Sequence, residues 1–168
     1  MYIGHWVLCG IRRILAAMNI DYGNLTPEML QLVVAVVLIR LIIWVFYANS
    51  VRKTLLLIAP ENRLMKPEMA WILVVPLVNI YWNFVVAGRL ADSLTNEFYD
   101  RQIAEEENPG AAMGTRYAWL FLLSNIPLPA FILVSIALVS FVYFIVYWVK
   151  VNNFRNILVE HEKFRNNT

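Results

Sequence analysis

The sequence predicts an all-α, polytopic membrane helical bundle, with three or four membrane segments and amphipathic helical extensions. Three observations predict it. The composition is 60% apolar and 14% aromatic with only 15% charged residues, against about 25% charged in an ordinary soluble protein. At 168 residues a soluble single domain has too much surface to hide that much apolar side chain. The apolar residues also fall in long runs. Met69–Gly88 carries no charge over 20 residues, Tyr117–Val149 none over 33, and Leu32–Ala48 only Arg40. A bilayer core about 30 Å thick needs roughly 20 helical residues, so each run qualifies. Finally, six Trp and eight Tyr crowd the ends of these runs, as interfacial aromatic belts do.

Residues 1–27 read as an interfacial N-terminal segment. Arg12 and Arg13 follow its short apolar stretch rather than precede it, which argues against a cleavable leader. The residues around 1–20 fit an amphipathic interfacial helix or a stunted span. Cys9 is the single cysteine, so it makes no internal disulfide, and no Cys/His group has metal-ligand spacing.

A first span and its extension occupy residues 28–59. Asp21–Pro27 is a turn, with Thr26 as N-cap and Pro27 in the first helical turn. The helix continues past Asn49, because Val51, Leu55 and Ile58 keep one face apolar. Pro60 and Pro67 punctuate the following loop. Residues 67–107 form a membrane helix broken around Pro76, Asn79 and Asn83, then an amphipathic extension with a Leu90, Leu94, Phe98 stripe and a Glu97–Arg101 pair at i,i+4. Asn108, Pro109 and Gly110 end it. Residues 111–168 hold the third run, which as one helix would be about 50 Å long. Pro127 and Pro129 break it, predicting a tight hairpin that turns at Asn125–Leu128; a single kinked helix is the alternative.

A short internal repeat links the ends of the first and last spans. Trp44-Val45 and Asn49-x-x-Arg52-x-x-Leu55 correspond to Trp148-Val149 and Asn152-x-x-Arg155-x-x-Leu158. Aromatic and basic residues gather at every cytoplasmic helix end, so even without a true duplication the match puts both ends on one side. Charge counting extends this. If the second run re-enters at Pro76–Asn79 and the hairpin at Pro127 stands, eleven Lys/Arg lie inside and two, Arg12 and Arg13, outside. A fully spanning second run gives at best 9 against 4, and three simple spans give 8 against 5. The positive-inside rule favours re-entry, with the C-terminus cytoplasmic. Plain spans are commoner, and a re-entrant backbone must be shielded from lipid by protein.

Lys66-Pro67-Glu68-Met69-Ala70-Trp71-Ile72-Leu73-Val74-Val75-Pro76-Leu77-Val78-Asn79, preceded by Trp44, Tyr47, Asn49 and Arg52, resembles an uncharacterised bacterial polytopic membrane domain family, a domain of unknown function. That family has an apolar helix opening with Pro and Trp, then Pro-x-x-Asn, then a polar amphipathic helix. The likeness covers residues 40–95, and acidic and amide residues stand here where relatives often carry a second Pro. It implies a membrane topology, here that of a bacterial inner membrane, and no activity.

Arg40 is the sharpest single residue. A charge at mid-span costs about 2.5 to 3.5 kcal/mol on insertion scales, and neither other run offers an Asp or Glu. Expected partners are the amides of Asn79, Asn83 or Asn125, the Ile72 carbonyl that Pro76 would free, lipid headgroups, or another chain. The possible polar intramembrane site is therefore Arg40, Pro76, Asn79, Asn83 and Asn125. A structural Arg tied to helix breaks in its own bundle, and a Pro kink with polar glue, are the plainer readings of the same residues. Glu97, Asp100, Glu105, Glu106 and Glu107 read as a solvated helix face rather than a cation site. His161 continues the Phe154, Ile157, Leu158 stripe and reads as packing, while His5 lies at the far end of the chain. Asn24-Leu25-Thr26 fits a glycosylation sequon, but a turn and cap explain it. With no phosphate loop, nucleophile elbow or zinc helix, no cofactor is expected and nothing supports catalysis. The expectation is a non-catalytic accessory or scaffolding subunit of a membrane complex, whose partners are the bilayer and other membrane subunits or itself, with no nucleic acid. A small-solute channel or transporter using Arg40 and the broken helix is the alternative, and a lipid-acting enzyme the remote third.

Overall fold

The computed structural model describes residues 26–103 and 107–166, and within them every regular element is helical. Residues 1–25 of the expected N-terminal segment, with His5, Cys9, Arg12, Arg13 and Asn24, lie outside the described residues, as do Glu105 and Glu106.

Helix α1 (Pro27–Leu57) starts as the sequence expects: the Thr26 hydroxyl accepts from the Met29 N–H at 3.3 Å, and Pro27 sits in the first turn. Its first half is exposed almost throughout and almost wholly apolar, whereas burial begins at Trp44 and continues through Tyr47, Ala48, Val51 and Leu55. Two 3-10 helices follow, Pro60–Asn62 and Pro67–Val74. The chain then reverses at Val75–Leu77 and returns as α2 (Val78–Asp100). The reversal can be followed by its rungs. Ala59 N–H donates to Glu97 Oε2, Leu64 N–H to Ser93 Oγ, and Trp82 Nε1 to the Met69 carbonyl, each at 2.9 Å. The break at Pro76 is thus a full turn back rather than a kink. It is built with Leu77 at φ 69° and ψ −46°, a positive-φ conformation that a bulky side chain adopts only under strain.

α2 ends at Asp100, earlier than the expected stop at Asn108–Gly110. Ile103 N–H bonds the Phe98 carbonyl and Gln102 N–H the Tyr99 carbonyl, with Gln102 at φ 55°. This is a Schellman close. Helix α3 (Ala111–Leu123) then runs antiparallel to α2, with Phe84 against Trp119 at 5.2 Å. Gly114 lets the two helices approach: a Cβ added there would lie 2.8 Å from the Ala87 Cβ. After Leu123 the chain turns through Asn125–Pro129 into α4 (Ala130–Asn166). Tyr117 meets both Phe144 and Tyr147, so α3 and α4 form the antiparallel hairpin.

α1 and α4 run parallel in matched register. Trp44 and Tyr47 meet Phe144, and Trp148 Nε1 donates to Ser50 Oγ at 2.9 Å. At the far end the Arg101 guanidinium donates to the carbonyls of both Leu57 and Leu158. The helix ends that share a sequence pattern therefore converge in space. The three expected stripes, Val51–Leu55–Ile58, Leu90–Leu94–Phe98 and Phe154–Leu158, all join one buried core. Beyond that head, the first halves of α1 and α4 project with exposed apolar surfaces from Met29 to Phe46 and from Phe131 to Val149. Among the described residues these are the two helices long and apolar enough to cross a membrane, and their windows are mostly unburied, unlike the core helix of a soluble protein. Of the three or four expected membrane segments, two are helices of spanning length among the described residues; α3 has 13 residues, about 20 Å, and the second run turns back at Val75–Leu77, as its re-entrant reading expects.

Candidate functional site

Arg40 stands on α1 four residues before Trp44, where the packed head begins. Its side chain is exposed, and its guanidinium carbon lies 5.8 Å from the centre of the Phe121 ring. Phe121 is held there by an edge contact with Trp44 at 5.4 Å and a tilted one with Tyr117 at 5.8 Å. No carboxylate or amide bonds Arg40 among the described residues, so its one defined contact there is a cation–π approach.

The amides proposed as partners are occupied elsewhere or turned elsewhere. Asn125 Nδ2 donates to the Phe121 carbonyl at 2.7 Å and closes the end of α3. Asn83 Nδ2 donates to the Asn79 carbonyl at 2.7 Å, within α2. The Ile72 carbonyl, expected to be freed by Pro76, accepts from Val75 N–H at 3.0 Å because the segment is 3-10 and not α-helical. Pro76 itself is exposed at the tip of the reversal. Asn79 and Asn83 are buried, yet the Asn79 side chain makes no hydrogen bond among the described residues and Asn83 Oδ1 has no partner.

Depth can be compared along the helices. Asn79 lies 18 positions before Glu97 and Arg40 lies 19 before Ala59. Since Glu97 and Ala59 are hydrogen-bonded, both residues sit about 27 Å along their helices from that contact. The hairpin tip, the Asn125 turn and Arg40 therefore occupy one level, and the expected site is a layer rather than a closed cluster.

Sequence reasoning missed a second polar centre, at the opposite end of the head. Glu97 is 2% exposed and is not on a solvated face. Its carboxylate accepts from Ala59 N–H and Asn62 Nδ2, both at 2.9 Å, and from Arg101 Nε at 2.7 Å, with Arg101 Nη2 at 2.6 Å. Asn62 Nδ2 also reaches Asp100 at 2.7 Å. The signal was present: Glu97 follows Leu90 by seven positions and Leu94 by three, so it lies on the apolar stripe and not opposite it. The arrangement ties the ends of α1, α2 and α4 with every strong acceptor engaged, which is structural work. No group of three His, Cys, Asp or Glu suited to a metal occurs among the described residues. His161 lies on α4, half-buried, and its buried Nδ1 has no hydrogen-bond partner among the described residues.

Comparison with family models, with curated proteins and with solved structures finds no match. The expected resemblance over residues 40–95, carried by Trp44, Tyr47, Asn49, Arg52 and residues 66–79, is therefore untested by these comparisons.

Proposed function

We propose that the chain is a non-catalytic integral membrane protein of a bacterial inner membrane, with its C-terminus cytoplasmic, serving as an accessory or scaffolding subunit of a membrane protein complex. The observation that carries this reading is Arg40. It is a guanidinium exposed on an apolar helix face, with an aromatic ring behind it and no carboxylate beside it among the described residues. A charge so placed is costly against lipid and is relieved by an acid or amide on the helix of another subunit. The buried polar groups of the head hold its own helix ends together, as a rigid platform requires.

The experiment is co-purification. Replacing Arg40 by Leu removes the docking charge while making the α1 face more apolar, so the variant still inserts. Partner recovery from mild detergent falls several-fold if Arg40 docks a subunit. Unchanged recovery removes Arg40 from that role.

One observation favours the solute-path alternative. Arg40 and the buried, unbonded Asn79 amide share a level, and a broken helix with free polar groups is how transporters line a path. Two exposed apolar helices enclose no such path alone, so this reading needs a homo-oligomer. It predicts a flux in proteoliposomes that Asn79→Leu abolishes.

A further inference from the structure

We propose that the head carries a basic collar that binds the headgroups of anionic phospholipids. The collar is made of Arg52, Lys53, Lys66, Arg89 and Arg116.

The level of the membrane boundary comes first. Trp82 precedes Glu97 by 15 positions, and Trp44 precedes Ala59 by the same number, so both lie about 22 Å from the Glu97–Ala59 contact. Trp119 faces Phe84 and joins that level, while Trp148 meets Ser50 about 9 Å further into the head. Trp71 and Trp119 are exposed at 42% and 56%. Three helices, α1, α2 and α3, thus bring tryptophan to one layer. On one side of it lie the exposed apolar lengths of α1 and α4. A tryptophan layer at the edge of an apolar belt marks a headgroup region.

The five cations lie immediately on the other side. Arg52 and Lys53 are seven and six positions from Ala59, and Arg89 is eight from Glu97. Arg116 lies between Gly114, which abuts Ala87, and Trp119, which faces Phe84. Lys66 lies between Leu64, bonded to Ser93, and Met69, bonded to Trp82. All five therefore sit within about two and a half helical turns of the tryptophans, and Lys53, Lys66, Arg89 and Arg116 are exposed. The described carboxylates of this zone are Glu68 and Asp92, while Glu61, Glu97 and Asp100 lie beyond it. A cationic ring at headgroup depth, contributed by α1, α2, α3 and the loop before the 3-10 helix, complements a phosphate-rich anionic surface. Each such charge contributes up to about fivefold in affinity near an anionic leaflet. The proposal does not use Arg40, but the boundary it sets lies four residues, about 6 Å, from Arg40, so the headgroups compete with a partner subunit for that guanidinium.

The test uses the full-length protein purified in neutral detergent, with phosphatidylglycerol or phosphatidylcholine added, and native mass spectrometry to count retained lipids. The unmodified protein should retain phosphatidylglycerol roughly tenfold over phosphatidylcholine, and raising salt from about 0.05 M to about 0.5 M should erase the preference. A variant with Arg52→Gln, Lys53→Gln, Lys66→Gln and Arg116→Gln should lose it while melting normally in phosphatidylcholine. Arg89 is kept because it also donates to the Leu64 carbonyl. If the fourfold variant does not fold, the paired variants Arg52→Gln/Lys53→Gln and Lys66→Gln/Arg116→Gln should each lose a share. Equal retention of the two lipids by the unmodified protein, or variants that keep the full preference, overturns the proposal.

Discussion

Trp148 donates its indole N–H to the Ser50 hydroxyl at 2.9 Å, and that hydroxyl in turn donates to the Phe46 carbonyl at 3.1 Å. The bond joins α1 to α4 where both helices enter the head. Around it Trp148 packs on Tyr47 at 6.1 Å and Phe144 at 5.6 Å. The interaction is a partly buried neutral hydrogen bond on an aromatic bed. Ser50→Ala should lower stability by about 1 kcal/mol, read as an earlier unfolding midpoint in detergent. Trp148→Phe should cost more, because it removes ring area as well as the donor.

The Glu97–Arg101 pair predicts a larger effect. Removing one partner of a buried ion pair leaves the other charge uncompensated, at about 3–5 kcal/mol. Glu97→Ala should therefore destabilise strongly, since it also orphans Ala59 N–H and Asn62 Nδ2. Replacing both residues by Met should recover part of the loss. A Glu97→Ala protein that melts with the unmodified one would show that the clasp is not formed.

How much of this was legible in the sequence differs by element. Thr26-Pro27 announced the start of α1, and Pro127 with Pro129 announced the hairpin, because those residues act on the backbone locally. Pro76 announced a break and the charge count favoured a turn back at Pro76–Asn79; what stayed hidden was that Leu77 would take up the positive φ of 69°, which leucine does not advertise. The end of α2 was invisible for the same reason: Gln102 holds a position usually filled by Gly or Asn. Glu97 looked like half of a surface pair because its other donors, Ala59 and Asn62, lie 38 and 35 residues away. Arg40 was recognised as exceptional, yet of its expected amide partners Asn83 and Asn125 donate within their own helices instead. The layer that holds it emerges only once the reversal at Val75–Leu77 sets the level of Asn79.

Gly114 offers a packing test. Alanine is the better helix former by about 1 kcal/mol, so on propensity alone Gly114→Ala would stabilise α3. The added Cβ would meet Ala87 Cβ and Tyr147 Cζ at 2.8 Å, and Tyr147 is buried and cannot yield cheaply. Overpacking of this kind costs about 1–3 kcal/mol. Net destabilisation is expected for alanine and a larger one for valine; a stabilised alanine variant would show that α2 and α3 pack less closely.

Topology follows from the convergence of the helix ends. Single cysteines at Glu61, Glu107 and Glu160, all exposed, should react with an impermeant thiol reagent from the same side of the membrane. A cysteine at Ala130, at the start of α4, should be labelled from the other side. Labelling of Glu61 and Glu107 from opposite sides would require the second run to cross rather than turn back.

The reading as an accessory subunit is tested most directly by native size. The protein is extracted from its own membrane in mild detergent, resolved by size, and the co-migrating proteins are identified by mass spectrometry. The account predicts migration in a large assembly of fixed stoichiometry, with a partner whose membrane helix carries an acid or amide facing Arg40. Migration as a monomer or as a small homo-oligomer free of other proteins would contradict it.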